Sequence, residues 1–229
     1  LDAAGVIEAI ADAGSVVEIK AGYATSVVTA FATVAGSTVG FVAFNGNNLC
    51  HSCAYKAEAM IKLCDAYNIP IITIADANGV NNKANELSLI AVTKLTSAYS
   101  TATCPKISLI TEQSIGSAYI VLAGKGANAD LTFAWDNAVV SPLEVSSAVA
   151  FLYNDRLAQG EDRAKLETEY KETVGSPFTA AACGAIDDVF APEETRAKLI
   201  AALDMLAGKR EVTIARKYNY ITDFGKLMD

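Results

Sequence analysis

An α/β fold of alternating strands and helices is predicted by two hydrophobic patterns that follow each other along the chain. Short apolar runs bounded by turn residues are typical of buried strands, and residues 71–75, directly after Pro70, form such a run. Apolar residues at three- and four-residue spacing are typical of helices, as in residues 52–67. Neither a proline- or glycine-rich linker nor an internal repeat interrupts the pattern, so residues 1–229 are predicted to form a single domain.

The first strands are predicted to pair as a β-hairpin. Residues 27–34 and 38–44 are rich in β-branched and aromatic side chains, and the turn-forming sequence Ala35-Gly36-Ser37 joins them. Four more strands are predicted further along the chain, at residues 71–75, 107–110, 131–133 and 138–140.

Helices are predicted between these strands and after them. The first covers residues 52–67 and has Ser52 as its candidate N-cap. A helix of small residues is expected from Gly116 to Ala123, ended by Gly124 and Gly126. The other predicted helices cover residues 85–101, 143–157, 161–173 and 193–206.

The composition excludes several classes of protein. With 52% hydrophobic and 19% charged residues, the 229-residue chain is too apolar for intrinsic disorder. No apolar run approaches the ~20 residues that a membrane span needs. The net charge of −8 repels phosphate backbones, so we expect no nucleic-acid partner.

The cysteines and the first residues favour a cytoplasmic location. Five cysteines form an odd set without the spacing of a disulfide framework, which is typical of a reducing compartment. The start of the chain has no methionine and no basic region before an apolar stretch, so we expect no signal peptide. It resembles a cut within a longer protein.

Most standard catalytic sets have no match in the sequence. His51 is the only histidine, and its polar segment lies far from any nucleophile elbow, which argues against a Ser/His/Asp triad. Cys50-His51-Ser52-Cys53 resembles part of a zinc site, but zinc takes about four ligands and a second pair is missing, so we expect no metal. Walker and dinucleotide-binding motifs do not occur.

Two strand-to-helix junctions carry the candidate chemistry. One is Asp76-Ala77-Asn78-Gly79, and the other is Gly116-Ser117-Ala118-Tyr119, where a strand leads into small residues. Backbone N–H groups at such a helix start can form an oxyanion hole, which stabilises negative charge on an enolate or carboxyl oxygen. Close packing of a helix that needs small side chains explains the same spacing, and the spacing alone favours that interpretation.

The order of several motifs over nearly the whole chain resembles the C-terminal half of the carboxyltransferase subunit of biotin-dependent acyl-CoA carboxylases and decarboxylases. The longest motifs are Cys64-Asp65-Ala66-Tyr67-Asn68-Ile69-Pro70 and Gly184-Ala185-Ile186-Asp187-Asp188-Val189. The other landmarks, in chain order, are residues 18–24, 40–43, 76–80, 105–107, 116–119, 192, 195–196 and 209–211.

The resemblance implies a crotonase-like (ClpP/crotonase) ββα superhelix that moves carboxylate between carboxybiotin and the α-carbon of an acyl-CoA. In this family two such halves face each other across a subunit interface, usually within a hexamer, so an N-terminal half and further copies of the chain are implied partners. Biotin carboxylase and the biotin carboxyl carrier protein are also implied partners. Biotin is the implied cofactor, and a coenzyme A thioester is the implied substrate. The family is thought to use biotin itself to take the α-proton, which fits the absence of a catalytic histidine.

The resemblance also assigns site residues. It implies that the backbone N–H groups of Ser117 and Ala118, after Gly116, form an oxyanion hole. The residues that it implies for binding biotin or the acyl-CoA are Asp76, Ala77, Gly79, Tyr119, Ile120, Ser146 and Ser147.

Several departures from the family pattern bear on activity. Ser117 stands where the family has a second glycine, and it adds a Cβ beside the ligand. Ile120 replaces an acidic residue that lines the acyl site in many members, and residues 76–79 replace the family's Asp-Val-Pro-Gly turn. Residues 141–149, which include Glu144, replace a stretch of small residues that opens a later helix.

These departures leave other functions open. A biotin-dependent decarboxylase runs the same step in reverse, and the sequence does not separate it from a carboxylase. A divergent half without activity would hold the oligomer or the biotin carrier. A stand-alone crotonase-like hydrolase or isomerase would need an acid/base group, for which Glu112 and Glu144 are candidates.

Overall fold

The fold is built on one mixed sheet to which distant parts of the chain contribute strands. The computed structural model describes residues 2–46, 48–80, 86–123, 125–127 and 129–211. The strands in these residues are β1 (Val17–Ile19), β2 (Val27–Val34), β3 (Ser37–Phe44), β4 (Ile71–Ala77), β5 (Lys106–Ile115), β6 (Leu131–Trp135), β7 (Val139–Ser141) and β8 (Asp188–Phe190). Their order in the sheet is β1-β2-β3-β4-β5-β6-β8, and β7 pairs with β5.

Helices connect the strands and cover the sheet. The α-helices in the described residues are α1 (Ala3–Ile10), α2 (His51–Ala66), α3 (Glu86–Thr101), α4 (Val145–Leu152), α5 (Asn154–Ala158), α6 (Arg163–Glu172), α7 (Pro177–Ala182) and α8 (Thr195–Leu206). A π-helical segment covers Tyr119–Ala123, and 3₁₀ turns cover Lys125–Ala127 and Pro192–Glu194. Within the described part of the chain, no helix is both long enough and apolar enough to cross a bilayer.

The sheet is antiparallel at one end and parallel from β3 onwards. β2 and β3 form a hairpin whose two central residues, Ala35 and Gly36, have φ values of 50° and 80°. Such a pair of positive values is typical of the tight turn whose twist matches the strands. From β3 to β4 and from β4 to β5 the strands run parallel, with α2 and α3 as the crossover helices. The carboxyl ends of β4 and β5 therefore lie at the same edge of the sheet.

Two layers of helices bury the sheet. On one face, α2 and α3 contribute Ile61 and Leu95 to a core that also includes Ile71. On the other face, α1 and α8 contribute Ile7 and Leu199 to a second core. All seven residues of β4 are buried, as expected for a parallel strand covered on both sides.

A third, smaller core holds α4 against α6 beside the carboxyl end of β5. Its buried members are Val145, Ala148, Val149, Leu166 and Tyr170. The Tyr170 hydroxyl is hydrogen-bonded to the hydroxyl of Ser141, the last residue of β7, at 2.8 Å. This contact links the α4–α6 pair to the edge of the sheet.

The hairpin and the predicted strands at 71–75, 107–110, 131–133 and 138–140 are confirmed, with β5 extending five residues past its predicted end at Ile110. The predicted N-cap of the first long helix is wrong. Cys50, not Ser52, is the N-cap of α2: its backbone is extended, and its sulfur accepts the N–H of Cys53. Ser52 lies inside the first turn because the helix begins at His51, directly after the extended Cys50.

Two other helix predictions need correction. The predicted helix at 143–157 is two helices, α4 and α5, with a break at Tyr153. The expected small-residue helix is one short helical turn that becomes the π-helical segment Tyr119–Ala123, and Gly126 lies in a 3₁₀ turn. Asn85 and Gly124, predicted as the start of one helix and the end of another, lie outside the described residues.

Candidate active site

Both predicted junctions lie at the carboxyl edge shared by β4 and β5. Gly79 follows β4 with a φ of 96°, and Gly116 follows β5 with a φ of 58°. Glycine adopts such values without the steric cost that a Cβ brings, so at each junction the backbone leaves its strand in a conformation that favours glycine. A Cβ on Gly79 would lie 3.9 Å from the carbonyl oxygen of Ile115, the last residue of β5. The two turns are therefore neighbours in space.

An irregularity in the pairing of β4 with β5 shapes this edge. Ala75 pairs with Ile110 and Ala77 pairs with Ser114, so two steps along β4 face four steps along β5. Extra residues of this kind bend a strand and redirect its side chains. The extra stretch of β5 contains Glu112, which is exposed, and Gln113, which is half-buried.

Gly46 and Leu49, which precede α2, hold the first junction in place. The N–H of Gly46 donates to the Asp76 carbonyl oxygen at 2.8 Å, and the N–H of Leu49 donates to the Gly79 carbonyl oxygen at 2.9 Å. Leu49 and Val80 also form an isolated parallel bridge. The turn after β4 is thus held by backbone hydrogen bonds on both sides of Gly79.

The second junction is held against the segment that leads into α4. The N–H of Gly116 donates to the Ser141 carbonyl oxygen at 2.7 Å. A Cβ on Gly116 would lie 3.4 Å from the carbonyl oxygen of Pro142. These contacts bring the start of α4 beside the turn after β5.

Glu144 organises the start of α4. The hydroxyls of Ser146 and Ser147 donate to its Oε2 at 2.6 and 3.1 Å. These hydrogen bonds hold the pKa of the Glu144 carboxyl below its usual value, the bond from Ser146 being the larger cause. Nη2 of Arg163 donates to the Ser146 carbonyl oxygen at 2.9 Å. The two serine hydroxyls are therefore engaged by a carboxylate on their own helix.

A cleft of about 480 Å³ opens where these segments meet. It is polar, with carboxylates from three elements and one ammonium group. The residues that line it are Asn78, Glu112, Gln113, Ile115, Asn137, Val139, Glu144, Val145, Ser146, Glu167 and Lys171. A cleft with this lining suits a ligand that forms hydrogen bonds rather than an apolar one.

Asp76 is the most perturbed carboxyl at this edge. Its side chain is only 1% exposed, and its Oδ1 has no hydrogen-bond partner within the described residues. Burial and the nearby Glu112 charge raise its pKa to about 6, whereas a hydrogen bond from the Gln113 N–H opposes the rise. The position of Gly46 explains the tight fit, because a Cβ there would lie 3.1 Å from Oδ2 of Asp76.

The predicted oxyanion residues lie directly after Gly116. Ser117 is exposed, whereas the Ala118 side chain is buried in the core. Both open a helical turn, so their N–H groups have no acceptor within it. Tyr119 is half-buried and donates its hydroxyl to the Ala185 carbonyl oxygen at 3.0 Å, whereas the Ile120 side chain is 57% exposed.

The other predicted site residues occupy different depths at the same edge. Ser146 lines the cleft, and Ser147 stands next to it with its hydroxyl on Glu144. Asp76 and Ala77 are buried at the end of β4. The predicted residues from three separate segments are thus brought together, but they differ in exposure.

Several residues of the cleft are not predicted from the sequence. Gln113 lies within β5 and Asn137 lies between β6 and β7, whereas Glu167 and Lys171 lie four residues apart on α6. That spacing places both side chains on one face of the helix, a signal that the sequence contains. No pattern in the neighbouring sequence indicates that this face of α6 lies opposite the two junctions.

The sequence of the chain is similar to a family of known proteins. A profile described as the carboxyl transferase domain matches residues 1–221. A putative propionyl-CoA carboxylase beta chain of Bacillus subtilis (strain 168) is 35% identical over 232 residues, which cover 96% of this chain and 46% of the relative. The methylmalonyl-CoA carboxyltransferase 12S subunit of Propionibacterium freudenreichii subsp. shermanii is 34% identical over 229 residues, covering 95% of this chain and 44% of that subunit. The chain spans less than half the length of these relatives.

A solved structure shares the fold. The crystal structure of transcarboxylase 12S, described as a hexamer assembly with methylmalonyl-coenzyme A and methylmalonic acid bound, matches with a TM-score of 0.87 and 33% identity. The match covers 96% of this chain and 44% of that one. This likeness confirms the predicted crotonase-like α/β fold class.

Proposed function

The chain belongs to the carboxyl transferase domain family, and from that premise we propose that it is the C-terminal half of a biotin-dependent acyl-CoA carboxyltransferase. Such an enzyme moves a carboxyl group between carboxybiotin and the α-carbon of an acyl-CoA. A chain that covers 44–46% of its relatives' lengths supports one half of a two-half enzyme. The order of the sequence motifs supports the C-terminal half.

The observation that carries this proposal is the meeting of two glycine turns at one edge of the sheet, beside a polar cleft. Gly79 and Gly116 bring the ends of β4 and β5 into contact, and Gly116 is fixed to Ser141 by a hydrogen bond of 2.7 Å. Backbone N–H groups that are presented by rigid turns stabilise developing negative charge without reorganisation.

Ser117 and Ala118 fit the role of donors to an oxygen that gains negative charge. Their N–H groups lie at the start of a helical turn, where the helix itself supplies no acceptor. The exposure of Ser117 leaves this position accessible, since it is not sealed within the core. Carboxybiotin, when bound, supplies the carboxyl group, and these two N–H groups would hold a urea or thioester oxygen.

The remaining proposed binding residues surround this position. Tyr119 is anchored by its hydroxyl to Ala185, which fixes the segment after the donors. Ile120 presents an exposed apolar surface where a carboxylate would repel an anionic acyl group. The other residues that we assign to biotin or acyl-CoA binding are Asp76, Ala77, Gly79, Ser146 and Ser147.

The proposal includes partners. An N-terminal half would complete the site, and a biotin carboxyl carrier protein charged by biotin carboxylase would deliver the carboxyl group. A hexamer of complete subunits is the proposed assembly, supported by the hexamer described for transcarboxylase 12S.

The start of α4 favours a second candidate function, a half that binds partners without catalysing transfer. Both serine hydroxyls there are bonded to Glu144, and the lowered pKa of this carboxyl keeps it charged at neutral pH. A fixed negative charge beside a site for anionic groups opposes their binding. The two functions differ in whether the assembled halves transfer carboxylate.

Reconstitution tests the proposal. The chain alone is expected to show little or no transfer from carboxybiotin to an acyl-CoA, and addition of an N-terminal half is expected to restore it. The measurement is incorporation of labelled carboxylate, with the N-terminal half alone as the control. Full activity of this chain alone contradicts the two-half proposal. Halves that assemble, as judged by sedimentation, yet transfer nothing in either direction support the partner-binding function instead.

A further inference from the structure

Two cysteines face each other at the start of α2. Cys50 is the N-cap, and Cys53 lies in the first turn, in the sequence Cys50-His51-Ser52-Cys53. Their sulfur atoms are 2.7 Å apart, with one thiol donating to the other, and the N–H of Cys53 also donates to the Cys50 sulfur at 3.4 Å. Both of these contacts of the Cys50 sulfur are with Cys53, so the two cysteines form a pair.

The helix does not need sulfur at these positions. Serine, threonine, asparagine or aspartate at the N-cap accepts the same N–H more strongly than a thiol does. Within the described residues, no group of three or more His, Cys, Asp or Glu side chains is arranged to hold a metal ion. Neither helix capping nor metal binding therefore explains why the two sulfurs lie together.

The two thiols differ in accessibility. Cys50 is half-buried, whereas Cys53 is only 2% exposed. Burial raises the pKa of the Cys53 thiol to about 12, and the neighbouring Cys50 adds to the rise. An accessible first cysteine and a shielded second one, three residues later at a helix N-terminus, is the arrangement of dithiol exchange sites.

We propose that Cys50 and Cys53 form a thiol–disulfide exchange site whose substrates are low-molecular-weight disulfides. The Cys50 sulfur, as thiolate, attacks one sulfur of the disulfide RSSR, and the bond formed replaces the broken S–S bond as RS⁻ leaves. Cys53 then loses its proton to water, and its sulfur attacks the Cys50 sulfur and displaces the second RS⁻. Two protein thiols are oxidised to one disulfide, and one RSSR is reduced to two RSH.

The position of the pair links this chemistry to the candidate site. Leu49, the residue before Cys50, donates its N–H to the Gly79 carbonyl oxygen and bridges to Val80. A disulfide would cross-link the N-cap to the first turn of α2. The N-cap is one residue from Leu49, which helps to hold the turn after β4. Bond formation needs the sulfurs to approach from 2.7 Å to ~2.05 Å, a small movement.

Oxidised glutathione is the probe for the test. The reduced full chain is incubated with it, remaining thiols are alkylated, and the intact mass and proteolytic fragments are measured. We expect two of the five thiols to be lost, a mass lower by about 2 Da before alkylation, and a disulfide that maps to Cys50 and Cys53. Dithiothreitol should return all five thiols, with an unchanged circular dichroism spectrum.

Single substitutions separate the two roles. Cys53→Ser should accumulate one glutathione on Cys50, because the second attack is lost, and Cys50→Ser should leave Cys53 unmodified. Cys183→Ser is the matched control: it removes an exposed cysteine and should leave the disulfide between Cys50 and Cys53 intact. Five alkylated thiols after oxidation, glutathione on Cys183 alone, or a disulfide between the buried Cys64 and Cys104 would overturn the proposal. Should the serine variants fail to fold, fragment mapping of the unaltered chain still decides.

Discussion

The turns after β4 and β5 share a glycine with positive φ and differ in what surrounds it. After β4, hydrogen bonds from Gly46 and Leu49 strap the chain on both sides of Gly79, and Asp76 is buried before it. After β5, one backbone hydrogen bond fixes Gly116, and the exposed Ser117 follows. At the first junction, these hydrogen bonds hold the backbone of the turn itself. At the second junction, the exposed Ser117 opens a helical turn that supplies no acceptor for its N–H group.

The different surroundings of the two junctions lead us to expect different effects of substitutions at each. Burying a carboxyl without a full set of hydrogen-bond partners costs stability, as at Asp76 within the described residues. Presenting N–H groups to a ligand requires a turn that ends in accessible residues. Under the proposed function, substitutions at the first junction should change stability in addition to any effect on ligand binding, whereas those at the second should change chiefly carboxyl transfer.

The largest expected effect is at the second junction. Ser117→Pro removes the backbone donor and should lower kcat of the reconstituted enzyme by about 10²–10³. Ser117→Ala is the matched control, because it keeps the N–H and removes only the hydroxyl, and it should retain the rate. Circular dichroism first establishes that the proline variant is folded. A folded proline variant with full activity would show that this N–H is not catalytic and that the junction is only packing.

The next effect is on stability at the first junction. The folded-state pKa of Asp76, about 6, lies above the unfolded value of 3.8, so the folded chain binds the proton more tightly. Stability therefore falls as the pH rises from about 4 to 6, and the loss is complete above that window. Asp76→Asn should raise the free energy of unfolding at pH 8 by about 2–3 kcal/mol and change it little at pH 3.5.

Urea unfolding at both pH values measures this difference. Glu112→Gln is the companion variant: it removes the nearby charge but leaves burial, the larger cause, in place. Its gain at pH 8 should be smaller than that of Asp76→Asn. Equal stability of Asp76→Asn and the parent chain at pH 8 would contradict the assignment of a strained, buried carboxyl.

Alanine at the two glycines tests the turns themselves. The φ of 96° at Gly79 lies outside the small left-handed region that other residues visit, whereas the φ of 58° at Gly116 lies within it. Gly79→Ala should therefore cost about 2–3 kcal/mol of stability and Gly116→Ala about 1 kcal/mol. Thermal and urea unfolding compare them, and the reverse ranking would show that contact with Pro142, not backbone strain, limits the second turn.

The smallest expected effect is that of Ser117→Gly. It keeps the backbone donor and removes the Cβ, so activity of the reconstituted enzyme should stay the same or rise. A kinetic titration with the acyl-CoA separates kcat from KM. A large loss of kcat would assign the hydroxyl a role that the N–H proposal does not give it.

Local pattern predicted β2, β3 and β4 because each is a run of seven or eight mostly β-branched, aromatic or otherwise apolar residues. The three-residue strands β1 and β8 were not predicted because each contains a charged residue, Glu18 or Asp188, and neither is an uninterrupted apolar run. β8 also pairs with β6, more than fifty residues earlier. Helices α1 and α7 were missed as well. No glycine or proline, the residues that usually indicate a helix end, lies at the break at Tyr153. Arg156 pairs there with Glu161 and Glu169, so contacts with α6 accompany the change of direction.

Local patterns were enough to predict the two junctions, since polar turns with glycine at strand ends are local chemistry, and the order of the motifs indicated the family. That Gly79 lies beside Ile115, that Asp76 is buried near Glu112, and that α6 supplies Glu167 and Lys171 to the cleft follow from the tertiary structure alone. These features depend on the register shift between β4 and β5 and on how α4 packs on α6. Both are set by contacts between residues distant in the chain, which no local pattern encodes.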